Sequence, residues 1–223
     1  PERIRVMYQA VLEQDFAPQP DPALHHELAG ATGFLVGYVG RLVPEKGVDV
    51  LLRALAQLPP DFTLCLLGSG RAEPDLVALA TALGVAARVH WLGRIARAQM
   101  PRYLSSLDAL VLPSRSIPTW QEQFGAVLVE AMYCATAVVG SSSGAIPEII
   151  GEAGLVFPEE DPAGLAACLL RLRDDPGLRG HLAEAGRQRA LSTFALPVYV
   201  ERLLALFAEA RGEPPTAEAG CTP

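Results

Sequence analysis

The chain is 223 residues long, half of them hydrophobic and 19% charged, which is enough for one sizeable α/β domain with a full core and too little for two. A formal net charge of -7 argues against a nucleic-acid-binding surface, which is normally basic. No apolar run approaches the ~20 residues that span a bilayer. The cysteines Cys65, Cys134, Cys168 and Cys221 have no metal-ligand spacing and fit buried free thiols in a reducing cytosol.

Taken in chain order, residues 1–30 are rich in Pro, Asp and His, hold one short apolar run (Ile4 to Tyr8), and read as a linker. His25 and His26 have no third ligand nearby and fit a solvated pair rather than a metal site. The start at Pro1, with no leader-like stretch, is expected to mark a piece of a longer protein. Phe34 to Gly40 is a nearly continuous apolar run, as in a strand buried on both faces of a parallel sheet. Arg41 to Gly47 then forms a turn, and Val48, Leu51, Leu52 and Leu55 line a helix. The unit repeats: a strand over 62–67, a Gly68-Ser69-Gly70 turn, a helix over 73–83, and a strand over 89–92 that ends in Gly93-Arg94-Ile95. A helix over 100–105 leads into a strand over 108–112. Further strands lie at Val138-Val139 and 155–157, with a short helix at 146–149 between them. This alternation predicts a doubly wound, Rossmann-like parallel sheet over residues 31–195. Helices over 161–173, 176–190 and 198–210 close the chain; Asp161 caps the first of them, ahead of Pro162. Residues 196–212 read as a terminal crossing helix with broad apolar surface, and 213–223 as a disordered tail. Asp15, Asp49, Asp75 and Asp108 show no pairing that suggests a metal.

The stretch around which the chain is organised is Glu122-Gln123-Phe124-Gly125, running into Ala126 to Met132. Apolar residues at Phe124, Val127, Leu128, Ala131 and Met132 follow amphipathic-helix spacing, and the helix opens just past the end of a buried strand, where open α/β sheets bind ligands. Glu122 falls in the loop and Glu130 roughly 8 Å beyond the helix start, too far apart for an acid/base dyad. That separation suits gripping both ends of an extended ligand whose anionic middle lies over the positive helix N-terminus. Glu130 sits among Val127 to Val129 and Ala131-Met132, company in which an idle charge is costly. Of the 18 Lys and Arg residues all but Lys46 are arginine, which hints that a compact ammonium is wanted there. Arg41 and Lys46, past the first long strand, are placed to clamp a diphosphate and neutralise a leaving charge. The alternative is a surface pair flanking a turn. Gly68-Ser69-Gly70 does not complete a dinucleotide fingerprint. Glu148 reads equally as a helix-capping or loop-holding carboxylate or as a ligand contact, and Trp120 as a wall of the sugar or acceptor site or as a loop anchor.

The pattern E-x-F-G-x-x-x-x-E at Glu122 to Glu130, with Pro113-Ser114 before it and Gly144-Ala145-Ile146-Pro147-Glu148 after it, resembles the retaining glycosyltransferases of group 1 (family 4). The resemblance runs from about Arg3 to Ala210. It implies a GT-B fold, of which this chain is the C-terminal, donor-binding half. It further implies that Gly40, Arg41 and Lys46 belong to a phosphate-binding G-R-L…K-G turn, that Gly68 packs beside the nucleotide, and that Arg94 and Ile95 hold the base through main-chain atoms. Glu130 would accept hydrogen bonds from ribose hydroxyls and Glu122 would bind hydroxyls of the donor sugar. Gln123, Phe124 and Gly125 would offer backbone N–H groups. The implied reaction is hexosyl transfer with retention, catalysed through Arg41, Lys46 and Glu122 without a metal or other cofactor. A UDP or GDP sugar is the expected donor and a sugar, lipid-linked saccharide or metabolite the acceptor, with the fragment inactive apart from its N-terminal half. The location implied is cytoplasmic, peripheral to a membrane if the other half attaches there. Two departures stand out: Gln9 to Leu12 replaces the family's N-G-V-D turn, and Ala145 stands where a second glycine is common. A non-catalytic nucleotide-sugar-binding subunit fits the same residues. A dehydrogenase or methyltransferase would need the glycine fingerprint that is missing at Gly68 to Gly70.

Overall fold

The computed structural model describes residues 4–211. Its strands are Phe34–Val39 (β1), Phe62–Leu67 (β2), Val89–Gly93 (β3), Ala109–Leu112 (β4), Ala137–Ser141 (β5) and Leu155–Phe157 (β6). They form one sheet in the order β3-β2-β1-β4-β5-β6, every neighbouring pair parallel. The apolar runs of β1, β4 and β5 are buried almost throughout, which is what helices on both faces of a sheet require. The chain builds β1, β2 and β3 outward, then returns to place β4 on the other side of β1. The order reverses between β1 and β4, and such a switch point opens a crevice at the C-terminal ends of the strands.

The helices are Pro22–Ala29 (α1), Val48–Leu55 (α2), Glu73–Ala82 (α3), Met100–Ser105 (α4), Ala126–Tyr133 (α5), Ile146–Ile150 (α6), Pro162–Asp174 (α7), Pro176–Thr193 (α8) and Leu196–Arg211 (α9). Three of them open on an Asp-Pro pair. Asp21, Asp161 and Asp175 each accept hydrogen bonds from first-turn N–H groups, while the following proline supplies a pre-set φ. Each such cap contributes about 1 kcal/mol. α5 departs from the expected amphipathic pattern. Leu128, Val129, Ala131, Met132 and Tyr133 are all buried, because α8 covers the side turned away from β4 and β5. Phe124 lies outside the helix and packs edge-on against Phe194, with ring centroids 5.7 Å apart.

The segment expected to be linker contains α1, whose Leu24 and Leu28 are buried against β1 and β2. His25 is not one of a solvated pair. Its Nε2 lies 2.9 Å from Asp108 Oδ2, which also accepts from the Leu35 N–H at 2.8 Å; His26 is exposed. Upstream, the Val11 N–H donates to Phe194 O at 3.0 Å and Phe16 is 2% exposed, so this stretch too is packed onto the domain. At the other end, α9 leaves Val200, Leu204 and Phe207 exposed at 43%, 62% and 55%. The expected tail at 213–223, with Cys221, lies outside the described residues. No helix among the described residues is long and apolar enough to cross a membrane.

Candidate functional site

Five of the residues singled out in the sequence line one cleft. Gly40 and Arg41 follow β1, Gly68 follows β2, and Arg94 and Ile95 follow β3; together they border a cavity of about 320 Å³ at the C-terminal edge of the sheet. A Cβ on Gly68 would lie 1.8 Å from the Gly40 carbonyl oxygen, so two backbones meet there and keep the cleft floor low. The Arg41 and Arg94 side chains are exposed at its rim. The turn is held from beneath by Tyr38, whose hydroxyl donates to the Arg41 carbonyl at 2.7 Å. Burial pushes that phenol well above its usual range, so it remains a donor.

Lys46 and Glu122 meet across the crevice. Lys46 ends the short 3₁₀ turn Pro44–Lys46 after β1, and Glu122 lies in the loop after β4. Nζ is 2.5 Å from Glu122 Oε2, with side chains only 15% and 9% exposed. The Ser114 hydroxyl donates to the same oxygen at 2.9 Å. Glu122, expected to bind hydroxyls of the donor sugar, is also engaged from within, because β1 and β4 are sheet neighbours and their loops lie side by side. The Trp120 ring covers the ammonium, its centroid 4.9 Å from Nζ. Trp120 is set by a tight turn in which Ile117 and Trp120 exchange backbone hydrogen bonds of 2.8 and 3.1 Å. Arg115 anchors that loop to Asp49, and Ser116 anchors it through N–H and Oγ to Glu159 at 2.6 and 2.8 Å.

The stretch from Gly144 to Glu148 supports this loop. The Ala145 N–H donates to the Glu122 carbonyl at 2.9 Å, and a Cβ on Gly144, at φ 51°, would fall 2.0 Å from that oxygen. Glycine is required there both for the backbone angle and for the approach. Glu148 accepts a hydrogen bond from the Tyr8 hydroxyl, which that bond and burial push above its usual range.

Gly125, in the left-handed region at φ 72°, is the N-cap of α5 and supplies no side-chain acceptor, so no side chain caps the first-turn N–H groups. Gln123 is exposed beside it. One long turn of helix further on, Glu130 is 17% exposed, with Arg97 Nη1 3.6 Å from its Oε1. Burial pushes its carboxyl up, and Arg97 pulls it back. No sequence motif marks Arg97, in the turn after β3, as a partner of a residue on α5. Ser114, part of the Pro113-Ser114 pair in the sequence pattern, proves to be a hydrogen-bond partner of Glu122 eight residues on. Among the described residues no group of three His, Cys, Asp or Glu converges to hold a metal.

Residues 26–189 match the family model for group 1 glycosyl transferases. The chain is 35% identical over 204 residues to D-inositol 3-phosphate glycosyltransferase of Thermomonospora curvata, covering 85% of this chain and 46% of that protein. It is 36% identical over 169 residues to a GDP-mannose-dependent phosphatidylinositol monomannoside mannosyltransferase of Corynebacterium glutamicum, covering 73% and 44%. The Anabaena protein HepE, solved with UDP, superposes with a TM-score of 0.80 at 27% identity over 92% of this chain and 57% of its own. The same protein has been solved with UDP-glucose. The chain spans about half the length of the curated relatives it matches. The match over 26–189 takes in every residue of the crevice, and the chain belongs to the group 1 glycosyl transferase family, with the Rossmann-like α/β sheet of its GT-B members.

Proposed function

We propose that this chain is the donor-binding half of a retaining glycosyltransferase that takes its sugar from a UDP or GDP sugar. The observation that carries the reading is the meeting of the Lys46–Glu122 pair and the uncapped N-terminus of α5, beside a cleft rimmed by Arg41 and Arg94. A diphosphate in that crevice would face two cations and a row of N–H donors, which is what a leaving group gaining charge requires. HepE, which shares the fold, was solved with UDP, and the Corynebacterium relative is named for GDP-mannose; both speak for a nucleoside-diphosphate donor.

In this reading the base lies against the backbone at Arg94 and Ile95, the ribose hydroxyls reach Glu130, and the diphosphate lies between Arg41, Lys46 and Gly125. Entry of the phosphate gives the Lys46 ammonium a second anion and frees one Glu122 oxygen for sugar hydroxyls. The anomeric carbon then develops oxocarbenium character, with leaving-group charge met by Arg41, Lys46 and the α5 N-terminus rather than by a metal. The acceptor arrives on the face the donor leaves, from a pocket in an N-terminal half that would cover Leu204 and Phe207 on α9.

The test is thermal unfolding of the purified chain with UDP, GDP, ADP and dTDP, with Lys46→Gln and Glu130→Ala as controls checked for native circular dichroism. A nucleotide at a hundred times its Kd adds about 2.7 kcal/mol. Stabilisation by UDP or GDP, lost in both variants, is expected. Equal response to all four, or retention in both variants, overturns the reading.

A further inference from the structure

Glu122 and Glu130 stand in the same loop-and-helix unit and are both largely withdrawn from water, at 9% and 17% side-chain exposure, but they are satisfied differently. Glu122 Oε2 accepts two short hydrogen bonds, from Lys46 and Ser114. The nearest cation to Glu130 among the described residues is Arg97 at 3.6 Å, beyond hydrogen-bond length. A carboxylate so placed has lone pairs left for an outside donor.

Arg97 divides its fork. Nε and Nη2 donate to Asp15 Oδ2 at 3.2 and 3.1 Å, Nη1 turns toward Glu130, and the guanidinium lies 4.9 Å over the Phe16 ring. Asp15 and Phe16 belong to the segment that enters the domain ahead of α1, fixed to it by Val11. One guanidinium therefore touches both the α5 carboxylate and the incoming chain. Apart from Arg97, the titratable group facing Glu130 is the Cys134 thiol, which burial pushes up to about 12 and which stays neutral. Arg97 is thus the cation that keeps Glu130 available as an acceptor.

We propose that Arg97 is a positioning residue of the donor site, aiming the Glu130 carboxylate at a vicinal diol and coupling that diol to the seating of Asp15 and Phe16. This rests on the reading of Glu130 as the ribose ligand. The ribose hydroxyls approach the oxygens that Arg97 leaves unfilled, and Arg97 keeps its grip on Asp15. Ligand at Glu130 and order at the entering segment then reinforce each other through one side chain.

The experiment is calorimetric titration of the purified chain with UDP, or with GDP if that is the nucleotide that stabilises it, from pH 5 to 8. The variants are Arg97→Gln, Arg97→Lys and Asp15→Asn. In Arg97→Gln the acid limb of affinity moves to higher pH, by about one unit, and below both midpoints affinity falls by about tenfold. Arg97→Lys restores most of the profile, and Asp15→Asn moves it in the same direction by less. The 2′,3′-dideoxy nucleotide binds with no dependence on Arg97. A purely structural role would lower affinity by the same factor at every pH, and that result, or an unmoved profile, overturns the proposal. Should the wild-type chain bind no nucleoside diphosphate, the donor reading fails separately, and a thermal double-mutant cycle between Asp15→Asn and Glu130→Gln decides whether Arg97 couples them. Non-additive Tm shifts that vanish in Arg97→Gln support the coupling, and additive shifts overturn it.

Discussion

The two ends of the Glu122-to-Glu130 unit solve the same problem in opposite ways. At the loop end a carboxylate, an ammonium, a serine hydroxyl and an indole form a closed set in which every charge has a short partner. At the helix end a carboxylate is nearly as buried, yet faces one exposed arginine at 3.6 Å. The closed set is an architectural element and carries part of the fold's stability while the site is empty. The open end contributes little to folding and leaves binding capacity unspent. Motif residues of equal standing in a sequence can thus have opposite weights in stability.

The sharpest way to break this comparison is to delete each carboxylate and unfold the variants in urea. Glu122→Ala strands the Lys46 ammonium at 15% exposure and is expected to cost about 3 kcal/mol, the scale for breaking a buried pair. Glu130→Ala is expected to cost less than about 1 kcal/mol, since it removes a charge that is poorly satisfied. Equal losses would mean that both ends are structural. Salt separates them further: Arg97 is 59% exposed, so its hold on Glu130 weakens with ionic strength, whereas the Lys46–Glu122 pair changes little.

Next in size is Gly144→Ala. The added Cβ lies 2.0 Å from the Glu122 carbonyl at a left-handed φ, so either the turn between β5 and α6 or the Glu122 loop must move. A loss of about 1–3 kcal/mol is expected, with weaker protection of the Ala145 amide in hydrogen exchange. An unchanged stability would show that the loop is held from the Ser114 side alone.

How much of this was legible in the sequence follows from range. The strands announced themselves as apolar runs, and the two glutamates by a spacing local to one unit. Asp161-Pro162 reads as a helix start, and the same pair at Asp21-Pro22 stands in a stretch whose composition hides it. α1 is only eight residues long and carries His25, His26 and Glu27, which read as linker. The sequence placed Lys46 and Glu122 in one site but not in one ion pair, since 76 residues separate them and only the sheet order makes their loops neighbours. The spacing in α5 reads as amphipathic, since nothing local reveals that α8 covers its far side. Arg97 joins Asp15 to Glu130 from a third place in the chain, a relation that no periodicity encodes.

Trp120 sharpens the closed end. Trp120→Leu removes the face under the ammonium and is expected to cost about 0.5–2 kcal/mol, most of which Trp120→Phe recovers. Emission in a Trp91→Phe background, where Trp120 is the sole indole, reports the same contact and should shift on Lys46→Gln. If Leu and Phe behave alike, the ring is packing against the loop and not against the charge.

The smallest effect expected is at the open end, and its sign is the informative part. Burial raises the Glu130 carboxyl above its ordinary value, so the fold favours the neutral acid, and ionisation above the raised value costs stability. Its contribution is full below the unfolded glutamate value of about 4.3 and is lost as pH rises through the folded one. Glu130→Gln keeps the shape and removes the charge, so it should be more stable than wild type at pH 8, with the advantage fading toward pH 4. Paired urea curves at the two pH values measure it. A variant that is less stable at pH 8 would mean that Arg97, despite its distance and exposure, outweighs desolvation and that the helix end is closed after all. A gain at pH 8 would leave Glu130 as a carboxylate that the fold tolerates for a reason other than folding.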